Sequence, residues 1–102
     1  MNILLACAAG MSTSLLEKAL QDYMAENGIE GNVIAHSVQV AKEKIGEFEV
    51  VLLGPQVRFM LKEFQKAADE FSVPVAVISP ADYALAKATP IYKQAEELIA
   101  NK

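Results

Sequence analysis

The chain has 102 residues, 53% of them hydrophobic, and a formal net charge of −4 from nine basic and thirteen acidic side chains. That length fits one domain, residues 1–102, with a single core; the scattered lysines and Arg58 make no basic stripe of the kind nucleic acid needs, and no apolar run approaches the ~20 residues of a membrane-spanning helix. With no secretory leader pattern and a single cysteine, which cannot form an internal disulfide, a reducing cytoplasmic setting is expected.

In chain order, the apolar run over residues 2–6 predicts a first strand. A helix follows over about 12–27, with Leu15, Leu16, Ala19, Leu20, Tyr23 and Met24 on the buried face. Glu17, Lys18, Gln21, Asp22 and Glu26 take its polar face, and Asn27-Gly28 ends it. A second strand is expected near Asn32 to Ser37, then a short helix near Gln39 to Ile45 that stops at Gly46. Glu49 to Leu53 predicts a third strand closed by Gly54-Pro55. The third helix, about Gln56 to Phe71, carries Val57, Met60, Leu61, Phe64, Ala67, Ala68 and Phe71 at spacings of three and four. Val73 to Ile78 predicts a fourth strand, with Pro74 near its start and Ser79-Pro80 breaking it. The remainder reads as helix, interrupted before Pro90 and continuing through Ile91, Ala95, Leu98 and Ile99.

Strands alternating with helices predict an α/β fold, a three-layer open parallel sheet covered on both faces. Four strands and right-handed crossovers favour the order 2-1-3-4, a flavodoxin-like and low-molecular-weight-phosphatase-like topology. Its switch point lies between strands one and three, and ligands bind beyond the carboxyl ends of the strands at such a point. Cys7 and Gly54 both belong there.

Cys7 ends the first strand and is followed by Ala8, Ala9, Gly10, Met11, Ser12, Thr13 and Ser14. Helix starts present unpaired N–H groups and a partial positive charge, which attract anions and favour thiolates. The loop, made only of Ala, Gly, Met, Ser and Thr, has no bulky side chains to stop its amides converging on an anion and no carboxylate to repel phosphate. It reads as a nest of amides around a sulfur-borne phosphoryl group. The plain alternative is a small buried hydrophobe, a common fate of free cysteine.

The spacing overlaps the loop of low-molecular-weight tyrosine phosphatases, Cys-(any five)-Arg-Ser/Thr. Thr13 stands where that pattern has arginine, so the bidentate clamp for phosphoryl hydrolysis is missing. A cysteine-dependent hydrolase is therefore the weaker alternative, and Asp82, its candidate general acid, reads better as a residue opening the helix after strand four.

From Cys7 to Leu16 the run C-A-A-G-M-S-T-S-L-L resembles the active-site loop of the enzyme IIB components of the sugar phosphotransferase system (PTS), lactose/cellobiose/diacetylchitobiose family. The run Val50 to Val57, V-V-L-L-G-P-Q-V, is a second match on the same crevice. The resemblance implies that Cys7 is the phosphorylated residue and that Ala8 to Ser14 form its cradle. It implies a phosphohistidine-bearing IIA component as donor and a sugar on the membrane-embedded IIC permease as acceptor, with the carrier recruited transiently to the membrane. The sugar it implies is a β-linked disaccharide such as cellobiose or diacetylchitobiose, although sugar choice belongs mainly to IIC. No cofactor is implied.

Gly54, Pro55, Gln56 and Tyr83 are expected as crevice or partner contacts. His36 and Arg58 read as ordinary surface or satisfied side chains, Met60 as core, and Met11 as a docking candidate. One histidine and one distant cysteine do not supply a metal site.

Overall fold

The computed structural model describes residues 1–8 and 14–102 in full and residues 10–13 as helical backbone alone. In chain order the elements are β1 (Asn2–Cys7), α1 (Gly10–Glu26), β2 (Asn32–Ser37), α2 (Val38–Lys44), a 3₁₀ turn (Ile45–Glu47) and β3 (Val50–Leu53). A second 3₁₀ segment (Pro55–Met60), α3 (Leu61–Asp69), β4 (Val75–Val77), α4 (Pro80–Ala84) and α5 (Ala88–Ala100) complete it. The four strands form one parallel sheet in the order β2-β1-β3-β4, as the alternation of elements predicted.

Strand alternation divides the core between the two faces. Ile3, Leu5, Val50 and Leu52 pack with Leu16, Leu20 and Met24 of α1 and with Ile91, Tyr92 and Ala95 of α5. Leu4, Ala6, Val51 and Leu53 pack on the opposite face with Val38 and Ala41 of α2, Ile45, and Phe64 and Ala68 of α3. All of β3 is buried, which is why it reads as an unbroken apolar run.

The structure corrects four sequence expectations. The buried stripe of α1 is narrow, running through Leu16, Leu20 and Met24; Leu15 is 71% exposed, and Ala19 and Tyr23 are half-buried. The helix predicted from Gln56 is two segments, because Val57 (φ −115°, ψ 23°) leaves helical geometry before α3 begins at Leu61. Phe71 lies beyond α3 and is half-exposed, its ring covering Gly46 so closely that a Cβ there would stand 2.8 Å from Cδ1. The fourth strand starts at Val75, not Val73: Pro74 has no N–H for the ladder, although its carbonyl accepts from Val51 N–H at 3.0 Å. In the helical remainder the break spans Leu85 to Lys87, with Ala86 at φ 48°, and Pro90 sits in the first turn of α5, where its missing N–H has no helical acceptor.

Two polar residues assigned to solvent have structural work at the sheet edge. A β2 edge strand leaves backbone groups unpaired. Glu17 Oε2 accepts from Ala35 N–H at 2.6 Å, and Gln21 Nε2 donates to Val33 O at 2.7 Å. At the other edge, Gln94 Nε2 donates to Val77 O at 3.0 Å. Glu17→Ala orphans a partly buried N–H that was bonded to a charge, so a loss of about 1–2 kcal/mol is expected. Urea unfolding should show a lower midpoint at unchanged slope, whereas Glu26→Ala, on the exposed side of the same helix, should stay within about 0.5 kcal/mol.

Glu49 anchors the start of the sheet. Its Oε1 accepts from Asn2 N–H at 2.9 Å and lies 3.4 Å from the Met1 amino group. The Asn2 hydrogen bond, helped by the Met1 charge and opposed by partial burial, holds the carboxyl below its ordinary value of 4.5. A carboxyl group lowered on folding stabilises the fold above its unfolded value, and that contribution disappears as pH falls through the lowered value. Glu49→Gln should therefore melt below the parent at neutral pH, and the two curves should converge in acid. A gap that persists unchanged in acid would mean that the ionised form is not what matters.

Candidate functional site

Cys7 is the last residue of β1, one of the two inner strands, and is 2% exposed. The alternation of β1 puts it on the face of Ile3 and Leu5, the side covered by α1. That helix opens at Gly10, three residues on, so its N-terminal amides follow the thiol directly in the chain. The crossover from β1 runs to β2 and that from β3 to β4, in opposite senses, so the switch point of the sheet lies between β1 and β3, at the carboxyl end where Cys7 stands.

Ala9, and everything about Gly10, Met11, Ser12 and Thr13 beyond their helical backbone, lie outside the described residues. Ala8 is an exposed bend residue, and Ser14 is exposed. Because α1 begins at Gly10 instead of near Ser12, Ser14 is the fifth helical residue and stands past the capping position.

On the β3 side, the four expected crevice residues occupy one corner. Gly54 continues β3 and donates its N–H to Ala6 O at 2.9 Å. Pro55 is the first residue of the 3₁₀ segment, for which Gly54 supplies the N-cap. A Cβ placed on Gly54 would lie 2.6 Å from Gln56 Oε1, 3.5 Å from Tyr83 Cε1 and 3.6 Å from Cys7 Cβ. Three side chains from three segments thus converge on the point that glycine leaves open. Tyr83 reaches it from α4, whose start is fixed by Ser79 Oγ accepting from Asp82 N–H at 3.2 Å. Asp82 therefore lies in the first turn of α4, but Ser79 is the cap and Pro80 the first residue, so Asp82 neither caps nor opens that helix.

On the β2 side the strand register sets Ser37 opposite Cys7. Adjacent strands lie about 4.8 Å apart and paired residues share a face. Its hydroxyl does not cap α2, for which it is the N-cap residue. Sequence reading passed over Ser37; only the register, which pairs Ala6 with His36 and Cys7 with Ser37, singles it out. The same register sets His36 on the Ala6 face, opposite the thiol. Arg58 is exposed, and Met60 is half-buried against the α2/α3 core.

The segments leaving the carboxyl ends of β1, β3 and β4 also carry large exposed apolar side chains: Leu15 at 71%, Phe59 at 79% and Leu85 at 66%. Among the described residues, no group of three or more His, Cys, Asp or Glu side chains is arranged to hold a metal ion. No helix among them is long and apolar enough to cross a membrane.

Residues 2–99 match the family model described as PTS system, lactose/cellobiose specific IIB subunit. The oligo-beta-mannoside-specific EIIB component of Bacillus subtilis is 40% identical over 101 residues, covering 99% of this chain and 98% of that protein. Galactose-specific and cellobiose-specific EIIB components of Lactococcus lactis are 41% and 40% identical, each covering 95% of this chain and 94% of the relative. The lactose-specific EIICB component of Lactococcus lactis is 28% identical over 82 residues, which are 14% of its length. Among solved structures, the cellobiose-specific IIB protein of Borrelia burgdorferi superposes with a TM-score of 0.81 at 33% identity, covering all of this chain and 94% of that one.

Proposed function

Because the chain belongs to the lactose/cellobiose-specific IIB family of the sugar phosphotransferase system, whose members are phosphotransferase components, we propose that it is a cytoplasmic phosphoryl carrier working through Cys7. The observation that carries this reading is the position of the thiol: the end of an inner strand, at the switch point of a parallel sheet, immediately before a helix start.

In the first step the Cys7 sulfur attacks the phosphorus of a phosphohistidine on a IIA component. The S–P bond forms as the N–P bond breaks, and the thiol proton ends on the departing imidazole. In the second step a sugar hydroxyl on the IIC permease attacks the same phosphorus; the S–P bond breaks and the hydroxyl proton returns to sulfur. Transfer of this kind depends on positioning and charge stabilisation more than on covalent machinery. Amides and hydroxyls from Ala8 to Ser14 form the cradle in this reading, with Gly54, Pro55, Gln56 and Tyr83 as the opposite wall. Thr13 in place of arginine suits a carrier, because hydrolysis of the phosphocysteine would waste the group.

Leu15, Phe59 and Leu85 support transient docking to two partners, since exposed apolar side chains on the segments that leave the carboxyl ends of the strands suit interfaces that form and part. The IIC partner has support from the relative that carries both component letters in one long chain. Identity of 40–41% to relatives named for oligo-beta-mannosides, galactose and cellobiose leaves the sugar to be read from the sequence motifs, whose resemblance favours a β-linked disaccharide such as cellobiose or diacetylchitobiose.

Incubation with phosphorylated IIA should add the mass of one phosphoryl group, mapped to Cys7, and addition of IIC membranes with sugar should remove it. Turnover of an aryl phosphate without IIA would instead identify a hydrolase and sink the carrier reading.

A further inference from the structure

The corner above Gly54 has a consequence for which group holds the phosphoryl on the side away from α1. Gln56 is an exposed residue, yet its Oε1 stands 2.6 Å from the point where a Gly54 Cβ would be, and that point is 3.6 Å from Cys7 Cβ. A glutamine spread into solvent would not come back over the β3 terminus. Gly54 has φ −62° and ψ 149°, values open to any residue, so backbone strain does not call for glycine here. What a side chain at position 54 would take is the room of the carboxamide.

We propose that Gln56 is a phosphoryl-binding residue of this site, its Nε2–H donating to a non-bridging oxygen of the phosphoryl group on Cys7 Sγ. This rests on the carrier reading above and adds a donor that the Cys7–Ser14 loop does not contain. The terminal torsion of glutamine is broad and roughly two-fold, so the carboxamide turns Nε2 towards the sulfur without backbone motion. A neutral donor also suits a carrier: it stabilises the dianion by a charge-assisted bond without the bidentate cation that assists hydrolysis. Gly54 is the residue that keeps the space free.

The test charges wild type, Gln56→Ala, Gln56→Glu and Gly54→Ala with phosphorylated IIA and follows phosphocysteine formation by quenched-flow intact mass at several IIA concentrations. The phosphorus resonance of each phosphoprotein is then titrated against pH. Loss of a hydrogen bond to a charged group predicts a maximal transfer rate roughly ten- to a hundredfold lower in Gln56→Ala, with the half-saturating IIA concentration unchanged. Gly54→Ala keeps the glutamine but displaces its carboxamide, and should show the same loss. In Gln56→Glu the added carboxylate should raise the pH at which the phosphoryl group takes its second charge, a shift that a merely structural role for Gln56 would not produce. Wild-type rates in Gln56→Ala, or an unmoved phosphorus titration in Gln56→Glu, would overturn the assignment while wild type still loads at Cys7. Failure of wild type to load at all would overturn it together with the carrier reading.

Discussion

Replacing Cys7 with serine is expected to reduce phosphoryl acceptance by on the order of 10³ or more, because a hydroxyl needs a general base where a thiol does not; such help is worth about 10²–10⁴ in rate. Among the described residues His36, the one histidine of the chain, shares its face with Ala6, away from the thiol. A thiol gives up its proton far more readily than a hydroxyl and needs no such assistance. The substitution is nearly isosteric at a position that is 2% exposed, so the variant should fold, with a penalty of roughly 1–3 kcal/mol if the buried hydroxyl finds no partner. Any phosphoserine that does form is an oxygen ester and should not pass its group to sugar. The measurement is time-resolved intact mass with phosphorylated IIA, followed by sugar phosphate production on IIC membranes. Loading of Cys7→Ser at the parent's rate would place the acceptor elsewhere in the chain.

The strands were legible because burial on both faces leaves no polar position to confuse the pattern. Val50 to Leu53 is the clearest case, with all four residues buried. Alternation, crossover hand and the doubly-wound precedent then favoured the order β2-β1-β3-β4, which the sheet has. Helices were legible only as far as one apolar stripe describes them. Periodicity assigned Leu15 to the core by its spacing from Ala19 and Tyr23, but the sheet accepts a strip through Leu16, Leu20 and Met24 and leaves Leu15 outside. The kink at Val57 was invisible for a similar reason: Val57, Met60, Leu61 and Phe64 have helical spacing, and a 3₁₀ segment keeps nearly the same face inward over two turns.

Polarity misled in the opposite direction at Glu17 and Gln21. Both are hydrophilic and both lie beside the buried stripe, so a helical wheel sends them to water. Their partners are backbone groups of β2, 12 to 18 positions away in sequence, and no local pattern announces an edge strand. The site shows the same division. Cys7 and the turn after β3 are marked by residue types that few structural roles demand together, whereas Ser37 is ordinary in sequence. It becomes the neighbour of Cys7 only through strand register, and a shift of one residue would have brought His36 there instead.

Phe64→Ala should be the most damaging single truncation outside the site. Phe64 is fully buried between α3 and the sheet, in the cluster with Leu4, Val51, Leu53 and Ile45. Removing a buried phenyl ring loses its transfer free energy and leaves a cavity, at a cost of about 3–5 kcal/mol. A domain of this size has roughly 5–15 kcal/mol in all, so thermal unfolding should fall by about 15–25 °C. Phe59, five positions earlier, gives the contrast: at 79% exposure its truncation should stay within about 0.5 kcal/mol. The two variants should separate in the opposite sense when phosphoryl uptake is measured below the melting point of Phe64→Ala. There Phe64→Ala should load normally, since its ring is on the face away from Cys7. Phe59→Ala should need more phosphorylated IIA for the same rate if, as the carrier reading proposes, the exposed ring on the segment after β3 serves docking and not the fold. If Phe59→Ala loads with unchanged concentration dependence, the rim of Leu15, Phe59 and Leu85 is not the surface that IIA meets.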